Sequence, residues 1–345
     1  MSIFDLVTSD AITAYWETLS QNETPYLGEE LFPSQQKLGL SLKWVKGASG
    51  LPIVLKPSAY DVVAKKRDRI GFEKLYAEMP FFKEATYIDE ELRQELNMVM
   101  ETGNQSYIDT ITNQIFNDDM QLLRGAAAQR ERMRMMALTT GAISISANGQ
   151  NYDYDYGMPE SHKITTGKSW SDATATIIDD IRNLQDTIED ETGVRPARAV
   201  VSRKTFGYMR KNEEIRQAIL GSDATAPVSD TKIKSYLVDE LGLTVVVYNK
   251  KYKDEKGNET AYVADDLFCM FPEGTLGTGW FGTTPEQSDL MSNPKVANVT
   301  ITDTGVAVTT SPKVDPVNVE TKVSMIYLPS FEAANQVGII DVIAA

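Results

Sequence analysis

Residues 105–138 constrain this chain more than any other stretch. Ile108, Ile111, Ile115, Leu122, Ala126 and Met133 return at helical spacing and form one apolar stripe. The implied helix is longer than is usual in globular proteins. Gly103 separates it from a second helical segment at 88–102, and Gly141 ends it. A stripe of this kind is expected to pack against a core rather than to hold a cofactor.

Around it the chain reads as a mixture of helices and strands. Residues 1–35 form an arm in which Ile12, Tyr15, Trp16 and Leu19 share a short helical face, interrupted by Pro25, Gly28 and Pro33. The arm has no apolar partner in its own segment and is expected to dock elsewhere. Residues 36–56 read as a β-hairpin: Leu38, Leu40, Leu42 and Trp44 alternate with polar or small residues, Gly47–Gly50 turns, and Leu51, Ile53 and Leu55 return. Met79-Pro80-Phe81-Phe82 follows in extended form because Pro80 disfavours helix before it.

The middle of the chain predicts an α/β unit. Residues 142–170 are short strands and turns. Ser171 or Asp172 caps a helix carrying Ile177, Ile178, Ile181, Leu184 and Ile188, with Gly193 at its C′ position. A strand at 197–202 leads into helix at 203–220, with Asn212 as an internal cap, then helix at 233–241 and a strand at 243–248. Residues 253–258 form a polar hairpin turn, with strands at 260–264 and 267–271. Residues 295–328 read as long alternating strands with turns at Asp303–Gly305 and Ser311–Pro316, and a last strand spans 337–343. There is no internal repeat.

Composition narrows the function. The chain has 345 residues, enough for a large core, and a formal net charge of −15. Such a surface repels nucleic acid unless basic residues gather on one face. The N-terminus lacks a basic region and an apolar core, and no apolar run is long enough to span a membrane. Cytoplasmic synthesis is the expectation. With the single cysteine Cys269 there is no internal disulfide, and with one histidine, His162, the usual zinc and iron sites are not expected.

The chemistry-bearing motifs are weak. His162 is the only base available to a nucleophilic triad, and it reads as a solvated loop residue. Asn151, Asp153 and Asp155 begin like a calcium loop, but Tyr156 and His162 stand where glycine and glutamate are required. Gly277-Thr-Gly279-Trp-Phe-Gly282 matches a dinucleotide fingerprint in letters only. No apolar-periodic helix follows it, and a glycine-rich bend between strands is the favoured reading. The pairs Asp118-Asp119, Asp179-Asp180 and Asp265-Asp266 read as solvated faces rather than acid–base pairs. Arg130, Arg132 and Arg134 either form a solvated helix end or contact a neighbouring subunit or DNA. The apolar segments without a local partner point to protein–protein assembly.

In the order of these elements the chain resembles the lambda-like major capsid protein E family of tailed phages. Three stretches carry the likeness locally: Arg198–Met209, Gly274–Gly282 and Asp315–Pro329. The resemblance implies an α+β tailed-phage major capsid fold. Its parts would be an N-terminal arm (1–35), an extended loop (36–87), a peripheral domain with a spine helix (88–170 and 293–328) and an axial domain (171–292 and 329–345). It implies a structural, non-enzymatic subunit without a cofactor, forming hexamers and pentamers of an icosahedral shell around double-stranded DNA. It further implies a scaffolding protein, a portal and in some cases a decoration protein as partners, weak non-specific contact with DNA, no membrane, and assembly in the host cytoplasm into a virion. Candidate inter-subunit contacts are Trp16, Trp44, Phe81, Phe82, Arg130 and Arg134. Competing readings are an encapsulin-like compartment shell, a nucleotide-dependent enzyme built on the Gly277 segment, and a phage tail or head-completion protein.

Overall fold

The structure, a computed structural model, describes residues 7–45, 74–88, 90–102, 105–221, 226–292, 298–314 and 317–344. By its internal contacts the chain divides into two units: residues 1–42, 76–133 and 278–330 in the first, and 43–75, 134–277 and 331–345 in the second.

The first unit is built on a sheet of long strands. β14 (Asn298–Thr302), β15 (Val306–Val314) and β16 (Val317–Ser330) form an antiparallel meander. On the far edge of β16 lie β4 (Phe81–Tyr87) along its first half and β13 (Thr278–Phe281) along its second. β1 (Ser34–Gln36) joins β13 in parallel. β15 runs on through Pro312 to Val314, so Ser311, expected to start a turn, is in the strand. Proline is tolerated where its missing donor is not needed by the ladder.

The helix predicted from periodicity is α4 (Gln105–Thr140), preceded by α3 (Glu90–Thr102). Within the first unit Ile111, Ile115, Met120, Leu123 and Ala127 of α4 are buried, whereas Leu122 and Ala126 of the expected stripe are half-exposed. From Arg130 onward burial spreads around the helix, and the last turns lose their polar face. The arm helix α1 (Ser9–Ser20) is capped by Thr8, whose hydroxyl accepts from Ala11 N. Ile12 and Trp16 are buried, and Tyr15 stacks on Phe116 of α4 at 5.4 Å. The arm therefore docks on its own chain. The short α2 (Leu27–Leu31) is held by Glu131, whose Oε1 accepts from Gly28 N at 3.2 Å.

β2 (Ser41–Val45) pairs with β3 (Lys74–Glu78) in a two-stranded sheet. The expected turn at Gly47–Gly50 and the returning Leu51, Ile53 and Leu55 lie outside the described residues.

The second unit holds a five-stranded sheet in the order β7-β17-β12-β8-β9, with β7 (Lys163–Thr165), β17 (Gly338–Asp341), β12 (Leu267–Phe271), β8 (Arg198–Val201) and β9 (Thr244–Val247). β8 and β9 are parallel, and the crossover between them carries α6 (Arg203–Lys211), α7 (Glu213–Leu220) and α8 (Asp230–Leu241). With α5 (Ile177–Thr192), these helices bury Ile181, Leu184, Ile188, Met209, Ile215 and Leu237 with the sheet residues Ala199, Val201, Phe268 and Ile340. Gly193 ends α5 at φ 74°, as expected. The start of α5 differs from expectation: it begins at Ile177, and Asp172 instead closes a turn by accepting from Thr174 N at 2.8 Å. An aspartate can satisfy the backbone two residues on, and here that local bond wins over capping. β5 (Ala142–Ala147) and β6 (Gln150–Asp155) make a hairpin, and β10 (Lys251–Lys253) with β11 (Glu259–Ala261) another.

Candidate functional site

The motifs that would carry catalysis resolve into structure. Gly279 and Gly282 belong to β13 and its end, and each is where it is because a neighbour is too close for a side chain. A Cβ at Gly279 would lie 2.5 Å from Tyr327 Oη, and one at Gly282 would lie 2.6 Å from Ile326 Cγ2 and 2.9 Å from the Gly39 carbonyl. These glycines serve sheet packing and not a phosphate. A short helix does follow, α9 (Pro285–Ser292), and like the sequence it lacks apolar periodicity. Thr284 starts it by accepting from Gln287 N, a local cap that hydrophobic periodicity does not report.

The calcium-like segment is the second strand of the β5–β6 hairpin. Asp153 and Asn151 accept from Ser144 and Ser146 across the ladder, and Asp155 accepts from Gly157 N. Among the described residues no group of three or more His, Cys, Asp or Glu side chains is placed to hold a metal.

His162 is not solvated. It is 0% exposed, and its Nε2 lies 3.1 Å from Glu191 Oε2. Burial lowers its pKa below the ordinary value, opposed in part by Glu191 and by the Val337 carbonyl. Cys269 is buried too, its Sγ donating to the Leu138 carbonyl at 3.4 Å, and burial pushes its pKa far up, so it is no nucleophile.

The arginines at the end of α4 are likewise not a solvated helix end. Arg130 is 3% exposed, and its Nη2 donates to Asp303 Oδ2 at 2.8 Å while its guanidinium lies over Phe281 at 5.5 Å. Asp303 Oδ1 also accepts from Trp16 Nε1 at 3.0 Å. One aspartate thus fastens the arm helix and α4 to the β14–β15 turn. That turn is strained: Asp303 and Thr304 sit at φ 45° and 72°, a left-handed conformation especially costly for a β-branched residue. Arg134 is fully buried, Phe81 and Phe82 are half-buried at the start of β4, and Trp44 lies in β2 with its side chain outside the described residues.

Among its exposed side chains the first unit includes four large apolar ones. Leu38 is 72% and Tyr87 66% exposed, and Leu40 and Met98 also project into solvent. Sequence reading marked Leu38 and Leu40 as hairpin residues but had no signal for Tyr87 or Met98, whose exposure depends on which face of β4 and α3 the rest of the unit covers.

Comparison with known proteins decides the family. A model of phage major capsid protein E matches residues 8–340. The chain belongs to the phage major capsid protein E family. Among curated proteins none matches. Among solved structures, a capsid protein of an Escherichia coli prophage superposes with a TM-score of 0.60 at 17% identity, over 97% of this chain and 99% of that one. A phage-related protein from Bordetella bronchiseptica gives 0.56 at 13% identity, over 98% of both chains. The capsid of cyanophage A-1(L) gives 0.52 at 11% identity, over 94% of this chain and 93% of that one. The capsid protein therefore has the tailed-phage capsid fold expected from its sequence, and it is a structural shell subunit.

Proposed function

We propose that this capsid protein assembles as hexamers and pentamers of a closed icosahedral shell around double-stranded DNA. The observation that carries this reading is the match of the phage major capsid protein E model over residues 8–340, and the exposed Leu38, Leu40, Tyr87 and Met98 of the first unit are candidate contact residues. In this reading residues 1–35 are the arm and 36–87 the extended loop. Residues 88–170 with 293–328 form the peripheral domain, with α4 as its spine, and 171–292 with 329–345 the axial domain. Trp44, Phe81 and Phe82 contact neighbouring subunits. Trp16, Arg130 and Arg134, buried in the subunit itself, reach a neighbour only where the arm or the end of α4 is rearranged.

A scaffolding protein, a portal and a decoration protein are the proposed partners. The net charge of −15 suits a lumen that contacts DNA weakly and lets it leave. The subunit performs no catalysis, and assembly takes place in the host cytoplasm before the protein resides in the virion. The test is negative-stain electron microscopy of the purified chain, alone and with its scaffold. Closed shells or flat hexamer sheets support the proposal. A monodisperse small oligomer in every condition overturns it.

A further inference from the structure

Asp119 is a buried carboxyl group with an unpartnered oxygen. It lies on α4, is 2% exposed, and points at the long sheet, where it accepts a hydrogen bond from the Thr321 hydroxyl of β16. Its Oδ2 has no hydrogen-bond partner. The register of the sheet sets Thr310 of β15 and Thr86 of β4 directly beside Thr321 and on the same face, with Val319 and Val323 above and below. On α4 itself the residues one turn away are Ile115, Phe116, Leu122 and Leu123. The carboxyl group therefore faces hydroxyls and hydrocarbon.

Among the described residues, the charged groups on the surrounding elements offer it no cation. Asp118 is its neighbour on α4 and repels it. Glu84 is on the same face of β4 by register with Val323. On α3, Arg93 is held by Glu90 at 2.6 Å. α1 contributes Asp10, which accepts from Thr300, and Glu17. Lys322, next to Thr321 in sequence, projects to the opposite face of β16 and binds Glu286 of α9 at 2.6 Å. An ionised carboxylate in this setting is unpaired, which folded proteins avoid by keeping the group neutral.

We infer that the seating of α4 on β16 is proton-linked, with Asp119 neutral when the helix is fully seated and its ionisation loosening the helix from the sheet. Burial, the largest cause, together with Asp118 raises the pKa of Asp119 to about 7, against the Thr321 hydrogen bond, which lowers it. The folded group thus binds its proton more tightly than an unfolded one near 3.8. The extra stability is fully present below that unfolded value and is lost as the pH rises through about 7.

The experiment is amide hydrogen exchange of α4 residues 111–127 in the full unassembled chain from pH 5 to pH 8, corrected for intrinsic exchange. A carbon-13 titration of the Asp119 carboxyl accompanies it. The local opening constant is expected to rise by up to about tenfold per pH unit between pH 5 and 7 and to level off above. D119N should hold it constant across that range. T321V, which removes the hydrogen bond that favours the charged form, should move the carboxyl midpoint upward and serves if D119N does not fold. An opening constant that ignores pH in the wild type, an unchanged pH profile in D119N, or a carboxyl midpoint near the ordinary aspartate value would each overturn the proposal.

Discussion

At the residue scale the decisive side chains are ones whose polarity suggests surface and whose position is interior. Asp303 holds Trp16 and Arg130 together across residues far apart in the chain. Replacing it with alanine leaves a nearly buried guanidinium without its partner and removes the acceptor for the indole. Such a change costs about 3 kcal/mol. Asp303→Ala is expected to lower the urea midpoint accordingly, and Arg130→Met in the same chain should restore most of the loss, because the stranded charge is then gone. A double-mutant cycle in urea measures the difference; additive losses would show that the pair is not coupled. His162 makes a second prediction with its own sign. Its folded pKa is depressed, so unfolding takes up a proton, and stability falls as pH drops below the unfolded value of 6.5. Thermal melts between pH 7 and 5 should show this slope, and it should shrink in His162→Gln. The direction is opposite to that of Asp119, which gains from acid.

At the scale of elements, caps and glycine stops were readable because they act within a few residues. Asn212 separates α6 from α7 as its position suggested: its Oδ1 accepts from Ile215 N, and its Nδ2 donates to the carbonyls of Ala173 and Ala175. The cap bond alone is worth about 1 kcal/mol. The fully buried side chain also ties the helix pair to the segment before α5, so Asn212→Ala should cost about 2 kcal/mol or more. Circular-dichroism melts of the variant check it, and a change within error of zero would show that none of these three bonds matters. The start of α5 differs for the same local reason: the Asp172 carboxylate accepts from Thr174 N–H two residues on, and the sequence alone does not rank that bond against a helix cap. The helix at 285–292 escaped notice because a short helix with a local Thr284 cap has no apolar periodicity to display.

At the scale of the whole molecule the exposed apolar residues separate folding from assembly. Leu38 and Leu40 contribute little to the subunit's own core. Leu38→Glu with Leu40→Glu is expected to leave the melting temperature within about 2 °C of wild type, as exposed substitutions usually do. The same double variant should abolish shells or sheets in electron micrographs. Normal shells from it would remove these residues from the interface, and a collapsed melting temperature would place them in the fold instead.

Local information in the sequence was enough for the long α4, the meander of β14 to β16 with its turn at Asp303, the crossover helices and the strand set of the second unit. Each of these repeats hydrophobic residues at 3.6 or 2 positions or ends on a glycine or cap within a few residues. It was also enough to set aside disulfides, a calcium loop and a phosphate-binding turn. Only the tertiary structure decided that the arm helix lies on its own α4, that His162, Asp119 and Arg130 are interior, and that the Gly277–Gly282 segment is a packed strand. Burial of a polar side chain depends on partners that arrive from distant parts of the chain, Asp303 for Arg130, Glu191 for His162 and Thr321 for Asp119. Nothing in the neighbouring residues records that arrival.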